Sequence, residues 1–174
     1  MRQTLVLLSA LFAAGLSCAT GPSVTTVEAQ VWFSPEGGAR EAILESIADA
    51  KKEILVGAYK LEDEIVAAAL VRAKERGVAV SVLMDKKKSR YKKSLRSRLA
   101  KDGISVYTDG EHFLYHNKVI IVDRSVVLTG SFNFKEDAET SNAENLLRLR
   151  SPELAQKYLD DWQKHRSHST KTKR

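Results

Sequence analysis

Short apolar runs alternate along the chain with stretches whose apolar residues recur every three or four positions. "VWFS" (Val31–Ser34) predicts a strand, stopped by Pro35 and the Gly37–Gly38 pair. Ile43 and Ile47, continued by Ala50 and Ile54, give Ala39–Lys52 a helical stripe. "EILVGAY" (Glu53–Tyr59) has the length of a strand. A helix over Glu62–Arg76 follows from Ile65 and Ala69, with Gly77 as its stop. "VAVSVLM" (Val78–Met84) predicts the next strand, Ser89–Lys101 a basic helix, and Ile104–Tyr107 a strand after a turn at Gly103. Val119–Val122 and Val126–Thr129 are strands set almost back to back. Asn145–Arg150 is another strand, and Pro152 suits the first turn of a last helix ending near His165. Strands that alternate with helices predict a layered α/β domain.

The ends read differently. Residues 1–18 have a basic start, an uncharged apolar middle and small residues at the close, as a secretory signal peptide does. Cys18 is the only cysteine, so no disulfide forms within the chain. Residues 19–30 read as a polar linker and 31–165 as one domain. Residues 166–174 read as a disordered basic tail, which His168 and the neighbouring His165 join.

Composition narrows the class. The 174 residues are 43% hydrophobic and 29% charged, so the chain is globular and long enough for its own core. The net charge of +6 favours a polyanionic partner. It is concentrated in Lys86–Lys101, "KKKSRYKKSLRSRLAK", with nine Lys or Arg and no acid. Lys86, Lys87, Lys88, Arg90, Lys92, Lys93 and Arg96 are the candidates for backbone contacts with nucleic acid.

The candidate chemistry lies in "YHNKVIIVDRSVVLTGSFNF" (Tyr115–Phe134). A two-residue hairpin loop at Arg124–Ser125 would pair Asp123 with Val126, Lys118 with Ser131 and His116 with Asn133. Alternation then points His116, Lys118, Ser131 and Asn133 to one side and Asp123 to the other. Lys118 brings positive charge, while Ser131 and Asn133 bring donors without further buried charge. His116 is the group that titrates near neutrality and serves as nucleophile, base or acid. Such a set suits phosphate, and phosphoryl transfer needs chiefly positioning and charge stabilisation. Gly130 permits a close backbone approach.

His116-x-Lys118-x4-Asp123, followed by Gly130-Ser131-x-Asn133, resembles the signature of the phospholipase D superfamily. "FSPEGGA" (Phe33–Ala39), "RAKERGVAV" (Arg72–Val80), "AETSNAENL" (Ala138–Leu146) and the helix with Trp162 are similar to the small, single-motif bacterial endonucleases of that superfamily. The resemblance implies an α-β-α sandwich with a mixed central sheet, and phosphodiester cleavage without a cofactor or metal. In that scheme His116 forms a phosphohistidine, Lys118 and Asn133 hold the phosphoryl oxygens with Ser131 assisting, and Glu144 hydrogen-bonds the histidine. Asp123 is then structural. One motif per chain implies a homodimer that brings two histidines together. DNA or RNA is the expected substrate, and a phospholipid such as cardiolipin is the alternative.

Export places the chain in the periplasm, outside the cell or on the bacterial envelope. "GLSC" resembles a lipobox with its leucine one place too close, so lipid anchoring at Cys18 and ordinary cleavage after Ala19 both stand. His112 and His116, four apart, could suggest a metal pair; the sequence shows no further ligand cluster beside them, and no metal is expected.

Overall fold

The structure is a computed structural model, and it describes residues 26–173. The signal-peptide reading and Cys18 lie outside the described residues.

Eight strands form one sheet: β1 (Glu28–Ser34), β2 (Glu53–Ala58), β3 (Ala79–Asp85), β4 (Ser105–Asp109), β5 (Lys118–Val122), β6 (Val126–Gly130), β7 (Glu144–Arg150) and β8 (Thr170–Lys171). Their order is β1-β7-β6-β5-β2-β3-β4-β8. β2, β3 and β4 run parallel and the other pairs antiparallel, so the sheet is mixed as expected.

Alternation along the central strands feeds two separate cores. Ile54, Val56, Val82, Met84, Ile120 and Leu128 pack with helices α1 (Ala39–Asp49), α2 (Glu64–Glu75) and α3 (Arg96–Lys101). A short helix, α4 (Glu136–Thr140), stands where the sequence pattern predicts none. Leu55, Leu83, Ile121 and Val127 face the other way, onto Ala155, Leu159 and Trp162 of α5 (Pro152–Ser167). Ser151 caps α5 by accepting from Leu154 N, and Trp162 Nε1 donates to the Val56 carbonyl at 3.0 Å. Helices cover both faces of the sheet, which is the α-β-α sandwich.

Several expectations are corrected. Glu28, Ala29 and Gln30 belong to β1, paired with Arg150, Leu149 and Arg148, so the sheet begins inside the expected linker. The basic segment is not one helix. A single 3-10 turn (Lys88–Arg90) and an irregular stretch precede the short α3. Asp85 holds that turn by accepting from Lys88 N at 2.7 Å, while Leu95 N donates to the Leu61 carbonyl, which draws the chain inward before a helix can run. The tail is ordered: α5 reaches Ser167, and Thr170 and Lys171 pair with Thr108 and Tyr107 of β4.

The hairpin register also differs by one residue. Val122 pairs with Val126 across a three-residue loop, closed by Ser125 N donating to the Val122 carbonyl at 3.0 Å. Asp123 and Arg124 take left-handed conformations (φ 50° and 53°), whereas a two-residue loop at Arg124–Ser125 would leave Asp123 extended as the last residue of its strand. The loop is held from outside: the Asp123 carboxylate accepts from the backbone N–H groups of Lys51, Lys52 and Glu53 at 2.7–2.9 Å.

Candidate active site

The carboxyl ends of parallel strands are where open α/β sheets build their sites. Ala58, Asp85 and Asp109 end β2, β3 and β4 on that edge, and Lys118 opens β5 beside Ala58. Carried one step beyond the paired residues, the register puts Lys118 level with Gly130 rather than Ser131. The expected group converges all the same: His116, Lys118, Ser131, Asn133 and Glu144 line one cleft. It does so because most of these residues lie outside the β5–β6 ladder. His116 precedes β5, and the chain leaves β6 at Gly130.

Gly130 is what permits the turn-off. A Cβ there would fall 2.2 Å from the Asn145 carbonyl oxygen, so only glycine lets β7 approach this closely. Ser131 N then donates to that carbonyl at 3.1 Å, while Ser131 Oγ accepts from Asn145 N at 3.1 Å. The Asn133 segment is pinned further along, where the Phe134 carbonyl accepts from Glu62 N and Asp63 N. Asn133 Oδ1 is buried without a hydrogen-bond partner among the described residues. A buried polar atom left unmet costs about 1–3 kcal/mol, and this oxygen lies in a residue that lines the cleft.

His116 is exposed and Lys118 buried. Lys118 Nζ stands 2.9 Å from His116 Nδ1 and 3.2 Å from Nε2, and donates to the His116 carbonyl at 2.8 Å. Partial burial and then the Lys118 ammonium push the imidazole pKa below its ordinary value, against the opposing charge of Asp85. Burial likewise lowers Lys118, and Glu144 opposes it. A neutral imidazole beside an ammonium is a nucleophile next to a fixed positive charge, the combination that attack on a phosphodiester needs.

The resemblance implied that Glu144 accepts a hydrogen bond from His116, and this bond is not formed. Glu144 Oε1 instead accepts from Asn142 Nδ2 at 3.0 Å, and its charge acts on Lys118. Asp123 lies at the far end of β5 from His116, at the loop described above. Burial would raise its pKa, but the backbone N–H donors of Glu53, Lys51 and Lys52 outweigh this and hold it low.

Sequence reasoning missed two residues at strand ends. The Tyr59 ring lies 4.3 Å from the His116 ring, and Tyr59 N donates to the Asn117 carbonyl at 2.7 Å. Asp85, buried at the end of β3, accepts from Tyr115 N at 3.0 Å and from Lys88 N, so it ties the His116 loop to the basic segment. Their signal is position: each closes an apolar run on the edge where such folds place chemistry. Within the basic segment Lys86, Lys87, Arg90, Lys92 and Lys93 are exposed, Lys88 and Arg96 half-buried. Lys88 Nζ sits 5.4 Å above the Tyr59 ring and bonds Tyr91 Oη at 2.9 Å. Arg96 Nε is buried without a hydrogen-bond partner among the described residues.

The sheet and its cleft define an α/β protein with His116, Lys118 and Asn133 gathered at the carboxyl edge, a set whose charge and donors suit a phosphate. A family model described as "Cardiolipin synthase, PLD-like domain" matches residues 43–166. A protein named "Phospholipase D" from Rickettsia bellii is 39% identical over 130 residues, covering 75% of this chain and 65% of that protein, so this chain spans somewhat under two thirds of it. Mouse "Mitochondrial cardiolipin hydrolase" is 33% identical over 90 residues, which are 52% of this chain and 41% of that one. The crystal structure of a phospholipase D family member, Nuc from Salmonella typhimurium, superposes with a TM-score of 0.82 at 38% identity, over 86% of this chain and all of that one. The chain belongs to the phospholipase D superfamily.

Proposed function

We propose that the protein is a nuclease that cleaves DNA, or RNA, through a phosphohistidine at His116. The observation that carries this reading is the continuity between the basic segment and the nucleophile. Lys88 lies over Tyr59, Tyr59 lies against His116, and Lys60, Lys92, Lys93 and Lys135 outnumber Glu62 and Asp137 along a groove next to Tyr91, with Lys135 paired to Asp137. A strand laid along Lys92, Lys93 and Lys88 would bring one phosphate to His116, with Tyr91 available for stacking on a base. Among the described residues no base-reading element accompanies it, so cleavage is not sequence-specific.

In the first step a His116 ring nitrogen attacks phosphorus, a P–N bond forms and the P–O bond to the leaving oxygen breaks. Lys118 and Asn133 hold the non-bridging oxygens, with Ser131 assisting. The leaving oxygen needs a proton, and one chain supplies one motif. A twofold homodimer provides the second His116, which donates that proton and then takes one from the water that hydrolyses the phosphohistidine. Val31 and Phe33 (52% and 63% exposed) leave an apolar strip on edge strand β1, next to Ser34, whose Oγ accepts from Glu144 N. That strip suits a second subunit closing over the cleft.

A second reading has its own support. Phe113 (81% exposed) and Leu114 sit in the loop before His116, with Lys87 Nζ 4.0 Å from the Phe113 ring centre, a pairing that also fits a lipid surface. No described helix is long and apolar enough to cross a membrane. Supercoiled plasmid and cardiolipin vesicles, incubated in parallel with wild type and with His116→Ala and without added metal, separate the two. Plasmid nicking that disappears in the variant, with lipid untouched, is the expected result. Lipid turnover with intact plasmid transfers the site to phospholipid hydrolysis.

A further inference from the structure

Four side chains around the end of β4 take no part in the chemistry at His116. Asp109 is buried, and its Oδ2 lies 3.0 Å from His112 Nδ1, 3.0 Å from His165 Nδ1 and 3.4 Å from His168 Nε2. One ligand atom from each of the four falls within 4.8 Å of the others. The residues come from two parts of the chain that are distant in sequence: Asp109 at the end of β4 with His112 in the loop after it, and His165 in the last turn of α5 with His168 as its C-cap.

Three imidazoles and a carboxylate form a donor set suited to zinc. With metal–ligand bonds of about 2.0–2.1 Å, tetrahedral ligand atoms stand about 3.3 Å apart. The three Asp109–histidine separations are already near that spacing. The outward ring nitrogens supply an independent indication. His168 Nδ1 is 3.2 Å from Glu111 Oε2, and His165 Nε2 is 3.6 Å from Asp161 Oδ1. Both are ion-pair distances, and a carboxylate that closes onto the outer nitrogen of a ligating histidine fixes its tautomer and ring orientation. With only hydrogen bonding to explain it, the loop after β4 and the end of α5 would together have to place three imidazoles on a single oxygen.

We propose that Asp109, His112, His165 and His168 bind one divalent transition-metal ion, zinc by donor set, as a structural clasp. Four protein ligands leave no open position for a reacting water, and His116 is not among them. The ion fastens α5 and β8 to the end of β4. It also steadies the nucleophile's loop, because the Tyr115 ring packs 5.1 Å from that of His165 and His116 follows directly.

The test uses the purified protein, stripped with chelator and titrated with Zn2+ by calorimetry, with metal content read by mass spectrometry. One ion per chain is expected, and Co2+ should show the intense visible absorption of tetrahedral coordination. His165→Ala and His168→Ala should each weaken Zn2+ by more than about 100-fold, a ligand mattering more than the residues behind it. His116→Ala should bind as wild type does. Circular dichroism establishes whether the histidine variants fold. If they do not, Glu111→Gln, at an exposed carboxylate behind His168, decides: a drop in affinity of about tenfold supports the site. No binding, undiminished binding in folded His165→Ala and His168→Ala, unchanged affinity in Glu111→Gln where those variants do not fold, or abolished binding in His116→Ala overturns it.

Discussion

At the scale of the residue, His116 and Lys118 set each other's charge. Because partial burial and the nearby ammonium lower the His116 pKa, the neutral, nucleophilic ring persists to more acidic pH than a free imidazole, which titrates near 6.5. As pH falls, the acid limb of kcat/KM should therefore descend below the ordinary histidine range. A limb at or above that range would show that the ring is not held neutral as described. The pair itself is legible in the sequence: a histidine and a lysine two apart at the mouth of an apolar run can hardly serve packing alone. The way the cleft assembles is not. Alternation does not carry through residues that leave the ladder, and the three-residue loop depends on Asp123 reaching backbone N–H groups 70 to 72 positions away in sequence. Asp123 is separated from His116 chiefly by position, since it stands at the other end of the strand.

At the scale of the element, a largely buried charge cluster joins α1 to α2 and α4. Arg40 Nε donates to Asp63 Oδ2 at 2.9 Å and its Nη2 to Glu136 Oε2 at 2.6 Å, while Arg40 N donates to Glu139 Oε2 at 3.0 Å. Asp63 also caps α2 by accepting from Ile65 N and Val66 N. Replacing Asp63 by Ala removes a cap and leaves the buried Arg40 guanidinium with Glu136 as its remaining carboxylate partner, which costs about 2–4 kcal/mol. Urea denaturation should show destabilisation of that size, and a value below about 1 kcal/mol would mean that solvent already screens Arg40. The regular apolar spacing of α1, α2 and the central strands makes them readable from sequence. The five residues of α4 are too few to display a period. The basic helix is overextended in a sequence reading because nothing local reveals that Asp85 and Leu61 claim its first turns.

At the scale of the molecule, the basic groove and the single motif make separable predictions. Binding to DNA should weaken steeply as salt rises, and Lys92→Glu with Lys93→Glu should reduce the logarithmic salt slope by about 0.9 for each phosphate that these lysines neutralise. An unchanged slope would remove those residues from the interface. The proposed dimer is tested by mixing: heterodimers of wild type and His116→Ala should fall far short of half the wild-type rate if each cleavage uses both histidines. Full one-site activity in the mixture would make a single subunit sufficient. Strand β8 has a practical consequence of its own. Among the described residues, its two are what screens the outer margin of β4, where Tyr107 and Thr108 would otherwise offer free backbone groups to any passing strand. Proteolytic trimming after Ser169, which removes the strand and leaves His168 in place, or a stiff purification tag fused at that end, should therefore show itself first as aggregation on storage, before any change in turnover.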